Sequence, residues 1–159
     1  MKKIIYTLGT SKRSLEEFLE LVKFYKISQV VDVRRWSTSK WFKYFEKENL
    51  EKILKENGLK YAHFENLGGY RTGGYENYTT TKEFQKALKD LIKIVKENQT
   101  AIICAEKLPW KCHRAFIAQE LEKKKFEVIH IIDKGKIWQP KKENHEIKPF
   151  CEKSILKKS

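Results

Sequence analysis

Short β-branched runs alternate with capped amphipathic stretches along most of this chain, and that alternation restricts the folds open to it. KIIYTL (3–8), SQVVDVR (28–34), LKYAHF (59–64), TAIICA (100–105) and FEVIHII (126–132) read as strands. After the first, Ser14 and Glu17 form a capping box, and Leu15, Phe18, Leu19, Val22 and Tyr25 recur at helical spacing. A second helix over 46–57 carries Leu50, Ile53 and Leu54 on one face and stops at Gly58. Thr80 and Glu83 cap a third, with Phe84, Ala87, Leu88, Leu91 and Val95 as its apolar face, and 112–124 reads as a fourth. Strands alternating with helices predict an α/β protein: a mainly parallel twisted sheet with helices on both faces, a Rossmann-like three-layer sandwich with right-handed crossovers.

Residues 1–133 are expected to form a single domain. From Lys134 the chain holds eight lysines, three glutamates and two prolines, which reads as a basic C-terminal extension over 134–159. No apolar run approaches the roughly 20 residues of a membrane span, and the apolar start of MKKIIYTLGTSKRS is too short for a signal-peptide core. The expected location is therefore the cytoplasm, with no membrane partner. Cys104, Cys112 and Cys151 are too few for a disulfide framework and are read as reduced thiols.

Charge narrows the choice of partner. Thirty-four Lys and Arg against 21 Asp and Glu give a net charge of +13. Ion-pair networks of the thermophile type need both signs in balance, so the excess points to a polyanion: nucleic acid, DNA ahead of RNA.

In open parallel sheets ligands bind beyond the carboxyl ends of the strands, where the unusual residues of this chain fall. Thr10 and Ser11 follow the first strand; Asp32, Arg34, Arg35, Trp36, Ser39 and Lys40 follow the second. Gly69, Tyr70 and Arg71 follow the third, within ENLGGYRTGGYENYT (65–79), a stretch without periodicity that reads as a loop. The fourth delivers Cys104 and Glu106, then Cys112, His113 and Arg114 at the start of a helix.

The combination of VVDVRRWSTSK and KWFKYF, LKYAHFENLGGYR, and IICAEKLPWKCHRAFIAQEL followed by VIHI resembles the bacterial and archaeal domain-of-unknown-function family numbered 488. The similarity runs from about residue 4 to 132 and implies a compact α/β sandwich; it implies no activity. Many relatives have Pro where this chain has Ser37, a difference expected to loosen that loop.

Each candidate has a structural and a chemical reading. Asp32, flanked by Val31 and Val33, either pairs with Arg34 or Arg114 and caps loop amides, or activates water or steadies a developing cation. Glu106, on a loop, is the better placed general base. Cys112, read in the first helical turn beside Lys111, His113 and Arg114, is the candidate nucleophile, although the C-x5-R cradle of phosphatases is absent. Cys104 reads as core packing. His113 either acts in catalysis or bonds a loop carbonyl. Zinc on Cys104, Cys112, His113 and Cys151 lacks a C-x2-C pair, and two carboxylates make a poor magnesium site; no metal or cofactor is expected. Arg34, Arg35, Arg71 and Arg114 suit an anion clamp, and Gly9-Thr10-Ser11 a phosphate cradle. Trp36, Trp41, Tyr44, Tyr70, Tyr75 and Tyr78, interleaved with cations, include platforms for bases, with Phe42 and Phe45 packing.

Three functions follow as expectations. The first is a metal-independent DNA-processing enzyme that excises a base by cleaving an N-glycosidic bond, or cleaves at an abasic site through a lysine such as Lys12 or Lys40. The second is a non-catalytic DNA- or RNA-binding module. The third is a small-molecule enzyme that takes a phosphorylated or nucleotide substrate through Cys112 and His113.

Overall fold

The computed structural model describes residues 2–140. Six strands form one sheet: β1 (Ile4–Gly9), β2 (Gln29–Asp32), β3 (Lys60–His63), β4 (Thr100–Cys104), β5 (Glu127–Asp133) and β6 (Lys136–Trp138), in the order β3-β2-β4-β1-β5-β6. All neighbours are parallel except β5 and β6. Helices α1 (Leu15–Phe24), α2 (Lys47–Glu56), α3 (Tyr75–Tyr78), α4 (Lys82–Val95) and α5 (Arg114–Lys123) cover both faces, so the fold is the expected α/β sandwich.

Strand pleating sorts the core. Val30, Ala101 and Ile103 pack with Phe18, Leu21 and Val22 of α1 and with Leu50 and Leu54 of α2. Their neighbours Val31 and Ile102 point the other way, into a second cluster with Leu88 and Leu91 of α4 and Ile117 and Leu121 of α5. Both faces of the central strands are thus dry, which is why they read as unbroken apolar runs.

Sheet order also positions the site. From β1 the chain crosses by α1 on one face; from its neighbour β4 it leaves by α5 on the other. The paired strand ends Gly9 and Cys104 therefore lie where the connections diverge, the place where such sheets open a crevice.

Several local features differ from the sequence expectation. Residues 65–79 hold a 3-10 turn (Glu65–Leu67) and α3, and Tyr75 and Tyr78 are core residues donating to the Leu67 and Asn66 carbonyls. Thr81, not Thr80, caps α4: its Oγ1 accepts from the Phe84 amide, which shifts Glu83 out of a capping-box position. The boundary placed at 133 falls inside a hairpin, because the chain turns at Gly135 (φ +76°) and returns as β6. Trp138 of β6 packs edge-on against Trp110 at 5.1 Å and beside His130 at 5.4 Å. The remainder of the basic extension, with Cys151, lies outside the described residues. Ser37 Oγ is 2.8 Å from His63 Nε2, and its carbonyl accepts from the Lys47 amide at 2.9 Å, which ties the loop to β3 and α2.

Candidate functional site

Beyond the carboxyl ends of β1, β2 and β4 lies a cavity of about 810 Å³. Thr10, Ser11, Arg34, Arg35, Trp36, Ser39, Gly69, Tyr70, Arg71, Glu106, Cys112 and His113 all line it, so segments far apart in the chain meet at one hollow. Two glycines permit the convergence. A Cβ on Gly9 would collide with the Glu106 carbonyl, and one on Gly68 with the Arg35 backbone. The loops can therefore touch main chain to main chain.

Asp32, Lys40 and Arg114 do not line the cavity. Asp32 is fully buried: Oδ1 accepts from the Arg34 amide at 3.0 Å and Nε at 2.9 Å, and Oδ2 from Arg34 Nη2 at 2.7 Å and Tyr61 Oη at 2.6 Å. Burial, then the Asp32 charge, pushes the Tyr61 hydroxyl far above its ordinary pKa, so it stays a donor. A carboxylate saturated in this way holds Arg34; it has no lone pair directed at a substrate. Lys40 instead sits over the Trp41 ring at 5.2 Å, outside the cavity.

The proposed phosphate cradle is absent in the form expected. The Thr10 and Ser11 amides donate to the Cys104 and Ala105 carbonyls at 2.7 and 2.8 Å, extending the β1–β4 ladder past its end. Helix α1 starts only after Ser14, whose Oγ accepts from the Glu17 amide. The arginines are likewise engaged. Arg34 is bidentate on Asp32; Arg71 donates to the Gly68 and Glu65 carbonyls and lies over Tyr78 at 4.2 Å. Arg35 donates to the Tyr70 carbonyl and lies over Trp36 at 5.1 Å. They shape the cavity and charge it, and their forks face protein acceptors. Lys111 adds an exposed cation that makes no ion pair with a described carboxylate.

At the mouth, Trp36 (58% exposed) and Tyr70 (69% exposed) face one another, ring centroids 5.6 Å apart and 32° from parallel. Tyr70 adopts φ +59°, a left-handed conformation unusual for a bulky residue.

The floor is built from β4 and the return to α5. A 3-10 turn (Pro109–Lys111) carries the chain back, leaving Cys112 extended ahead of the helix rather than within its first turn. Cys112 Sγ lies 2.6 Å from Cys104 Sγ and 3.6 Å from His113 Nδ1, and the Arg114 amide is 3.5 Å from it. Burial pushes the Cys112 thiol up, but the hydrogen bond from Cys104 and the His113 and Arg114 charges outweigh it and hold the group well below the ordinary thiol range. Cys104 moves the other way, raised by burial and by its bond to Cys112, so it keeps its proton. His113 loses basicity by burial but regains more from the Cys112 charge and the Val33 carbonyl 2.9 Å from Nε2, so its pKa lies above the ordinary imidazole value.

Arg114 lies behind, fully buried. Its guanidinium donates to Thr7 Oγ1 at 3.0 Å and to the Glu106 and Lys107 carbonyls at 2.6 and 3.2 Å, and Nε has no partner. Burial lowers its pKa, yet the nearby thiols raise it more, and no carboxylate pairs with it among the described residues. Thr7 Oγ1, which accepts from Arg114, also lies 2.6 Å from His130 Nδ1. Burial and the Arg114 charge push His130 down to about 3, keeping it neutral.

Glu106 is exposed on the rim; its Oε2 accepts from the Leu108 amide at 3.0 Å. It is the one carboxylate among the described lining residues. No group of three or more His, Cys, Asp or Glu among the described residues is arranged to hold a metal ion. Cys104, read at the strand end as packing, lines the cavity beside Cys112, and Thr38, Ala105 and Lys111 line it without having been singled out as site residues.

Fold and site together define a class: an open, mostly parallel α/β protein with a cationic, aromatic-rimmed cavity at its strand switch point. The family model for the domain of unknown function DUF488 matches residues 14–121, more than half of the chain, and the chain belongs to that family. No curated protein and no solved structure matches it. Among the described residues, no helix is long and apolar enough to cross a membrane.

Proposed function

We propose that this domain binds a nucleic-acid strand, DNA in preference to RNA, and takes one nucleotide into the strand-end cavity for metal-independent cleavage of its N-glycosidic bond. The observation that carries this reading is the exposed Trp36–Tyr70 pair above a cavity whose lining includes Arg35, Arg71 and Lys111. Stacked rings beside positive charge suit a base extruded from its neighbours while cations follow the flanking phosphates. Glu106 then orients the attacking water and steadies the positive charge that grows on the sugar as the base departs. His113, bonded on both ring nitrogens, positions the floor. Lys40 lies outside the lining, so the abasic-site route through that lysine is not part of this reading.

The test uses single-stranded and lesion-bearing oligonucleotides in EDTA. Binding is expected to fall steeply with salt and to weaken by about 1–3 kcal/mol in Trp36→Ala. Glu106→Gln is expected to bind normally and to lose base release. No binding at low salt, or turnover unchanged by Glu106→Gln, overturns the reading; binding without any turnover reduces it to a binding module.

A second reading, a nucleotide-sized small-molecule enzyme, is favoured by the contact of Cys112 Sγ with His113 Nδ1 on the cavity floor. It predicts that a free mononucleotide competes as well as an oligonucleotide, and that Cys112→Ser, not Glu106→Gln, removes turnover.

A further inference from the structure

We propose that Cys104 and Cys112 form a redox-active pair on the cavity floor, in which Cys112 attacks a hydroperoxide and Cys104 resolves the product into a disulfide. This rests on the pair itself and not on the nucleic-acid reading.

Three observations carry it. The two sulphurs are in contact at 2.6 Å, although their residues come from the end of β4 and from the segment after the 3-10 turn. Both residues line the cavity, so a small oxidant reaches them although each is otherwise buried. Finally, Arg114 is a sealed guanidinium with only neutral oxygen acceptors and one idle nitrogen. A cation in that setting needs an anion nearby, and among the described residues around it the thiols supply one. Cys112, with His113 against it, is the sulphur that carries the charge; Cys104 keeps its proton and is the resolving partner.

The chemistry balances. The Cys112 thiolate displaces alkoxide from the hydroperoxide, forming an S–O bond as the O–O bond breaks; the alkoxide takes a proton from water and Cys112 becomes a sulfenic acid. The Cys104 thiol then attacks that sulphur, water leaves with the Cys104 proton, and the S–S bond forms. An external dithiol, itself oxidised to a disulfide, returns both cysteines to the starting state.

The full chain is treated with one equivalent of hydrogen peroxide, digested with trypsin without reduction, and mapped by mass spectrometry. Lys107 and Lys111 lie between the cysteines, so trypsin separates them and a disulfide appears as two linked peptides. The expected result is a Cys104–Cys112 cross-link that a dithiol reverses. In Cys104→Ser, a dimedone-trapped sulfenic acid on Cys112 replaces it. At pH 6, iodoacetamide should alkylate Cys112 at least tenfold faster than Cys104. Two unmodified thiols after peroxide, oxidation confined to Cys151, or equal alkylation rates overturn the proposal. The wild-type map and rates decide it even where a variant fails to fold, and no nucleic-acid assay enters the readout.

Discussion

Two buried charge clusters sit at neighbouring strand ends and do different things. At the end of β2, Asp32 and Arg34 form a bidentate pair with Tyr61 on the remaining lone pair; Arg34 reaches the cavity wall, but the carboxylate does not. At the end of β4, Arg114 is equally buried, has no described carboxylate, and shares its surroundings with two thiols that open on the cavity. A saturated ion pair is a strut. A buried cation without a described carboxylate lowers the pKa of the acid beside it. Burial alone therefore does not mark a reactive group; what matters is whether the anion's lone pairs are already filled.

Breaking the strut is the severest test. Asp32→Ala leaves Arg34 and Tyr61 without their acceptor and is expected to cost about 3–5 kcal/mol in urea denaturation. Cys112→Ser removes the counter-charge from Arg114 but leaves its three oxygen acceptors. The expected loss is smaller, about 1–3 kcal/mol, and a loss as large as that of Asp32→Ala would erase the distinction between the clusters.

The pH dependence sharpens the second cluster. Folded His130 resists protonation down to about 3, whereas the unfolded residue titrates near 6.5. The unfolded chain therefore binds the extra proton in that window, and stability falls as pH drops through it. Each pH unit costs about 1.4 kcal/mol. Denaturation of the parent and of His130→Asn at pH 7 and pH 5 should show a shallower pH slope in the variant; equal slopes would mean that burial and the Arg114 charge do not hold His130 neutral. The least effect belongs to the exposed rim. Glu106→Gln should change stability by no more than about 0.5 kcal/mol, and a larger loss would make Glu106 a structural residue like Asp32.

Much of the fold was legible because local patterns agree with the global arrangement. Ser14 caps where a capping residue is needed, and the apolar faces of α1, α2 and α4 match their spacing. The strand-end rule brought Arg35, Tyr70, Glu106 and Cys112 to one hollow without coordinates. Strand β6 was hidden because its three residues lie in a lysine-rich stretch, held to the body by Trp138 against Trp110. The platform tyrosines divided differently from their spacing, since Tyr75 and Tyr78 turn inward on α3 to meet Phe84.

By itself the sequence determined the layer architecture, the excess of cations and the set of chemistry-bearing residues, because periodicity and charge are properties of the chain. Only the tertiary structure decided which of them face the cavity. Asp32 and Arg34 bond each other across two residues, while Cys104 and Cys112 meet only after a turn folds back. Which polar group saturates which is a matter of ångströms, and a linear order of residues does not contain it.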